Sequence, residues 1–334
     1  MYEYDSLSTD DTAAIAQRFA ARVAKCSYGE SKLVFPYDLR YRVIAKNTLK
    51  NMKYPRREII INADDFGHDE DSTLATIECF VAGALTSATI MPRMPATDLA
   101  IKFARENPQH AYGVHLTFVR DSVECPVADP RLIPALVGED GAFRPSHQLR
   151  LMALLGTLPV DQICIEIAAQ IERIMDSGIA ISHVDSHGHL HKFKPFVRAL
   201  SQTLPKYGLL GVRNVQDQYT HTPLGSPTYW LGPYWRRRIM SHFVTTAHFF
   251  MSTNSNDPEW IEKILDRQLD GVLEVGVHPG SSLHPDRWRN HERQACLAFA
   301  AEAQKREISL ISWKDFCARQ ETLPSRALAD KSVY

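Results

Sequence analysis

The sequence has no CxxC pair, no GxGxxG or GxxxxGK[ST] loop, no uninterrupted apolar run of roughly 18 residues and almost no net charge. Each absence closes off a class of function. The six cysteines, Cys26, Cys79, Cys125, Cys164, Cys296 and Cys317, stand far apart. They fit neither a cysteine zinc site nor the dense disulfide framework of a small secreted domain, so reduced thiols in a cytoplasm are expected. Without a glycine-rich loop at a strand end, dinucleotide and P-loop folds are disfavoured. Lys and Arg number 38 against 39 Asp and Glu, a formal charge of -1, so no global field draws nucleic acid or an anionic membrane surface. The start shows no basic region followed by an apolar stretch, and the chain reads as untargeted, cytoplasmic and without a membrane span.

Length and pattern supply the positive reading. A chain of 334 residues suits two modest domains or one large α/β barrel with insertions. Residues 1–56 stand apart as an N-terminal helical extension: "TDDTAAIAQRFAARVAKC" offers a cap at Thr9 or Asp10, then Ala13, Ile15, Ala16, Phe19 and Val23 at roughly helical spacing. From residue 57 strand-like and helix-like stretches alternate. "REIIINADDFG", "SATIMP", "YGVHLTF", "ISHVDSH", "LGVRNV", "VLEVGVHPG" and "ISLISW" read as strands, and helical patterns separate them. A Pro-rich insertion covers about 121–160, and a second irregular stretch, rich in Tyr, Trp, Pro and Thr, covers about 215–257. The expected fold is therefore α/β, a distorted TIM-like (β/α) barrel over 57–320 with irregular insertions, followed by a tail at 321–334. In such a barrel chemistry sits at the carboxyl ends of the strands.

The strand ends carry the residues that expectation demands. Strand one ends in Asp64 and Asp65, "YGVHLTF" carries His115, "HVDSHGHLH" carries His183, Asp185 and His187, and "VLEVGVHPG" carries His278. Carboxylates and imidazoles are the side chains that bind divalent metals and move protons. Taken singly, each has a plain alternative: the paired acids as a turn and helix cap, His115 as a hydrogen-bonded core histidine, His278 as part of a turn. "HVDSHGHLH" is harder to dismiss, because a half-buried strand rarely spends five alternate positions on costly polar groups without a ligand to compensate. Asp185, His183, His189 and Arg213 are expected to orient a ligand or contact substrate, with His189 and His191 facing substrate or solvent. Tyr229, Trp230, Tyr234 and Trp235 could stack on sugar rings or simply pack, and "WRRR" at 235–238 could meet an anionic glycan or water.

"INADDFG", "GALTSATIMP", "GVHLT", "HVDSHGHLH" and "EVGVHPG", in this order, resemble the YdjC-like carbohydrate deacetylases, the ChbG/HpnK family, over about residues 57–320. The resemblance implies a distorted TIM-like barrel, a homodimer, that removes an acetyl group from an N-acetylated sugar with one divalent metal ion per chain, magnesium or zinc. It implies Asp65, His115 and His187 as metal ligands, Asp64 as general base, and, by analogy with other sugar deacetylases, His278 as general acid. Two imidazoles and one carboxylate leave coordination positions open for substrate and water, which suits amide hydrolysis. They do not select the metal. A barrel metallohydrolase acting on another bond, such as a phosphoester, and a non-catalytic glycan-binding protein with a retained metal site are the competing readings.

Overall fold

A computed structural model describes residues 57–254 and 259–321 of the chain. The expected N-terminal helix and the tail beyond Glu321 lie outside the described residues.

β1 (Glu58–Phe66) is buried along all but its first residue, which is why its sequence reads as a nearly continuous apolar run. Its two faces still part company, because successive side chains of a strand point to opposite sides. Ile59, Ile61 and Ala63 enter the large apolar cluster with Phe80, Leu273 and Phe299, whereas Ile60 joins Ala111, Ile311, Trp313 and Phe316 in a small separate one. Asn62 and Asp64 follow Ile60 on that second face. The interior of the sheet therefore has an apolar floor and a polar level above it, where the chemistry is found.

The remaining elements are α1 (Glu70–Val81), β2 (Ser87–Ile90), α2 (Thr97–Glu106), β3 (Ala111–Leu116), α3 (Ser146–Leu155), α4 (Val160–Met175) and β4 (Ile181–Ser186). After a 3-10 turn at His187–Lys192 come α5 (Lys194–Thr203), α6 (Pro227–His242), β5 (His248–Met251), α7 (Trp260–Leu265), β6 (Leu273–Val277), α8 (Arg287–Lys305), β7 (Ser309–Leu310) and α9 (Trp313–Glu321). Strands pair in the order β4-β3-β2-β1-β6-β5, all parallel, with β7 on the first two residues of β1.

Irregular backbone joins the two edges of this sheet. Val184 N–H donates to Gly211 O at 2.9 Å and Arg213 N–H to Val184 O at 3.1 Å; a few residues on, the N–H groups of Asp217 and Gln218 donate to Phe249 O of β5 at 3.2 and 3.1 Å. The parallel sheet is thus curled, as expected of a distorted barrel, and its outer faces are covered by helices through stripes such as Thr97, Ala100, Ile101 and Ala104 of α2. The buried stripe of α4 includes Glu166 and Gln170 among its isoleucines. Glu166 accepts the N–H groups of Val127 and Ala128, and Gln170 Oε1 accepts that of Thr117. These bonds fasten the Pro-rich insertion to the sheet.

Gly113, on the inner face of β3, shows how closely the interior is filled. A Cβ there would lie 2.7 Å from His183 Cε1, His183 O and Thr89 Cγ2. Gly113→Ala is expected to lower stability by about 1–3 kcal/mol, as overpacking does, in a denaturant titration.

Two expectations about elements need correction. "LGVRNV" is not a regular strand; it contributes only the isolated bridges Val184–Val212 and Gly211–Val244. Conversely, the stretch expected to be irregular at about 215–257 contains α6 and β5. Pro227 at the start of α6 and Pro233 inside it mask the helix in the sequence, and β5 is a four-residue strand, "HFFM", too short to show a period.

Candidate metal centre

A regular strand would send Asp64 and Asp65 to opposite faces. Instead the register of β1 against β2 slips between Ala63 and Phe66, and Asp65 adopts a left-handed backbone with φ 57°. Asp is one of the few residue types that tolerates this conformation. The irregularity brings both carboxylates into one polar cluster. Asp65 Oδ1 lies 3.2 Å from His115 Nε2 and 3.1 Å from His187 Nδ1, while Asp64 Oδ2 lies 3.9 Å from His278 Nε2.

Donor atoms of Asp65, His115 and His187 all lie within 4.8 Å of one another. His115 is oriented from behind: its Nδ1 donates to Asp185 Oδ1 at 2.7 Å, and Asp185 Oδ2 accepts from Thr89 Oγ1 at 3.0 Å. Nδ1 therefore holds a proton and Nε2 faces the cluster, the orientation that metal-ligating histidines need. His187 begins the 3-10 turn after β4, with Nε2 3.3 Å from Asp121 Oδ2. Arg289 Nη2 donates to the outer oxygen of Asp65 at 2.7 Å.

The charge balance fits a divalent cation. Among the described residues, Asp64, Asp65 and Asp185 are buried beside two guanidinium groups, Arg213 and Arg289. Burial opposes a charged imidazole at His115, yet Asp185 and Asp65 outweigh it and raise the pKa to about 10; at His187 Asp65 and Asp121 likewise outweigh burial and raise it to about 9. Without an ion the cluster compensates its carboxylates with protons, on the nitrogen atoms a metal would use. A second group, Asp64, His115 and Asp185, meets the same proximity criterion. It reuses His115, and Arg213 already occupies its two carboxylates.

Arg213 is fully buried. Its Nη2 donates to Asp64 Oδ1 at 2.7 Å, its Nη1 lies 2.7 Å from Asp185 Oδ2, and its Nε donates to Glu274 Oε1 at 2.8 Å. Burial alone would raise the pKa of Asp64, but Arg213 reverses this and holds the carboxyl well below the usual range. Glu274, where burial prevails over Arg213, is pushed up to about 7. Arg213→Leu would leave three buried carboxyl groups without their cation and is expected to cost about 3–5 kcal/mol of stability in a denaturant titration.

On the far side of Asp64, His278 is held by one acid. Glu292 Oε2 accepts the backbone N–H of His278 at 2.7 Å and the ring Nδ1–H at 3.1 Å. This leaves Nε2 facing the cluster. Burial acts to lower the His278 pKa, but Glu292 and the two aspartates prevail and raise it.

The other expected site residues separate. Asp185 and Arg213 contact the cluster as described. His183 lies deeper, stacked on Trp313 with ring centroids 4.5 Å apart and Nδ1 against Ser182 Oγ at 3.0 Å. It is fully buried, and its Nε2 has no hydrogen-bond partner among the described residues. His189, with φ 56°, lines a neighbouring cleft and meets Phe249 edge-on. Trp235 is a buried packing residue against Phe193; Arg236 pairs with Asp217 at 3.5 Å and Arg238 covers Tyr234. Arg289, Glu292, Thr89 and Asp121 were not anticipated.

Fold and cluster define a class: a parallel α/β barrel-type protein with a candidate metal centre at the carboxyl ends of its strands. The chain belongs to the YdjC-like family, whose model, described as YdjC-like protein, matches residues 58–309. A carbohydrate deacetylase of Geobacillus stearothermophilus is 35% identical over 270 residues, covering 78% of this chain and 98% of its own. A carbohydrate deacetylase of Listeria monocytogenes is 28% identical, covering 77% and 99%. A solved structure from Enterococcus faecalis V583, described provisionally as a cellobiose-phosphate cleavage protein, superposes with a TM-score of 0.63 at 25% identity, over 79% of this chain and all of that one.

Proposed function

We propose that the protein is a metal-dependent carbohydrate N-deacetylase, which hydrolyses the acetamide of an N-acetylated sugar to acetate and an amino sugar. The observation that carries this reading is the convergence of Asp65, His115 and His187 next to a separate Asp64 and His278, within a family whose relatives of matching length are named carbohydrate deacetylases. Asp65, His115 and His187 would hold a divalent ion, which would supply Lewis acidity toward the acetyl carbonyl and water.

The protein's own groups supply the proton traffic. Arg213 keeps Asp64 ionised and fixed by both oxygens, so it stands ready to accept the proton of the attacking water. His278 faces the same space with Nε2, its Nδ1–H anchored by Glu292, and a protonated Nε2 can donate to the departing nitrogen. Acid and base are thus neighbours, His278 Nε2 lying 3.9 Å from Asp64 Oδ2.

His278 must be protonated to act, so turnover falls as pH rises through its raised pKa. Glu292→Gln removes the largest influence that raises it and is expected to move the alkaline limb of the kcat–pH profile to lower pH. An unmoved limb would remove Glu292 from this role.

Release of acetate together with a free amine, from a panel of N-acetylated oligosaccharides and glycoconjugates, tests the proposal as a whole. A phosphoesterase using two ions is disfavoured because the second candidate group shares His115 with the first. Sugar affinity without turnover in metal-loaded protein would favour the non-catalytic reading and defeat this one.

A further inference from the structure

Of the five tryptophans in the chain, Trp235, Trp260 and Trp313 are buried in the core. Trp288, in the first turn of α8, is 38% exposed. It stands beside His278, the proposed general acid: the two rings meet edge to face, with centroids 5.5 Å apart and planes at 78°. Apolar surface left in water is unfavourable, and an exposed indole next to a reaction centre is the kind of surface on which a ligand regains that energy.

The indole is held in place from two directions. Arg289 lays its guanidinium over the ring, 4.8 Å from the centroid, and donates from Nη2 to the outer oxygen of Asp65. One side chain therefore links the indole to a candidate metal ligand. The connection between β6 and α8 is in turn tied to the corner that follows β1. Asp71 accepts the backbone N–H of Ser281 at 2.7 Å and also its hydroxyl. Asp69 Oδ2 lies 3.1 Å from His284 Nε2, which carries the ring proton because Nδ1 accepts the backbone N–H of Asp286 at 2.9 Å. Trp288 is thus positioned before any ligand arrives, which lowers the ordering cost of binding.

The chemistry of the substrate decides what meets this ring. His278 Nε2 can pass a proton to a departing nitrogen only from hydrogen-bond reach, about 3 Å. In an N-acetylated sugar that nitrogen is bonded directly to the pyranose ring, so the sugar's C–H groups come to rest beside His278, where Trp288 is exposed. An indole offers a large, rigid apolar area at low conformational cost, which suits the C–H face of a pyranose. Trp230, on α6, is exposed as well, but it packs on Tyr229 and donates its Nε1–H to Leu224 O at 2.9 Å.

We propose that Trp288 is the sugar-recognition platform of the site, its exposed indole surface packing against the C–H face of the pyranose ring whose nitrogen His278 serves. That this ring carries an acetamide rests on the deacetylase reading; the sugar contact does not.

The test uses the full metal-loaded chain, with calorimetric titration of the glucosamine disaccharide and acetate release from an N-acetylglucosamine oligosaccharide. Trp288→Ala should weaken binding of the amino sugar about tenfold or more and raise KM by a similar factor, with kcat changed less than about threefold; Trp288→Phe, which keeps a ring, should recover most of both losses. The alkaline limb of the kcat–pH profile should stay where it is. Circular dichroism verifies folding, and Trp288→Leu, which keeps apolar bulk without a ring, takes the place of the alanine variant if that one does not fold. A fall in kcat at unchanged KM, or a displaced alkaline limb, would make Trp288 a support for His278 and overturn the platform. Sugar binding that survives loss of the ring, or its absence in the unaltered protein, overturns it as well. If the unaltered protein binds sugar but releases no acetate, the deacetylase reading fails and the titration alone decides the platform.

Discussion

Asp65→Asn is expected to weaken divalent-metal binding by more than about 100-fold, since replacing groups that merely support a ligand already costs about 10–100-fold. Asn is the informative replacement. It tolerates the left-handed backbone at φ 57°, so the fold is kept while the charge is removed. His115 and His187 approach the same oxygen of Asp65; with that charge gone, two imidazoles remain and nothing anionic joins them. His187→Ala should reproduce the loss from the other side of the cluster. Calorimetric metal titration of both variants, with circular dichroism to verify folding, makes the comparison. Wild-type affinity in either would exclude that residue as a ligand.

His278→Gln is expected to keep the metal and lower kcat by about 100-fold to 10,000-fold, the range that general acid–base groups contribute. His278 belongs to a different strand end from the three candidate ligands and contacts Asp64, Glu292 and Thr253 instead. Gln can still hydrogen-bond Glu292 but cannot deliver a proton. Asp64→Asn should show the same separation of metal binding from turnover. It would also unbalance Arg213, so the His278 variant is the cleaner test. Substrates with a better leaving group should be hydrolysed by His278→Gln with a smaller deficit, because less proton donation is needed. A uniform deficit across leaving groups would point to a positioning role.

The strand-end residues were legible in the sequence because a strand alternates its side chains with period two. In "ISHVDSH" that period sends His183 and Asp185 inward and Val184 outward, and in "VLEVGVHPG" it places the apolar residues outside and His278 at the end. The depth of a residue was not legible: His183 shares its face with Asp185 but sits one level lower, on Trp313 of α9, a helix distant in sequence. Arg213 could be singled out, but not its three carboxylate partners, since β4, β1 and β6 meet only in the folded sheet. Glu292 and Arg289 did leave a trace. The buried face of α8 runs Arg289, Glu292, Cys296, Phe299, Ala300 and Ala303, so two charged residues occupy positions in phase with an apolar stripe. Polar groups in phase with a buried stripe need a reason, and here it is Asp65 and His278.

The role of the metal is tested most directly by acetate release from an N-acetylated oligosaccharide, measured while the chelator-stripped chain is titrated with a divalent ion. The account predicts no release without metal, then a linear rise that breaks at one ion per chain. Release from the stripped protein, or a break at two ions per chain, would contradict it.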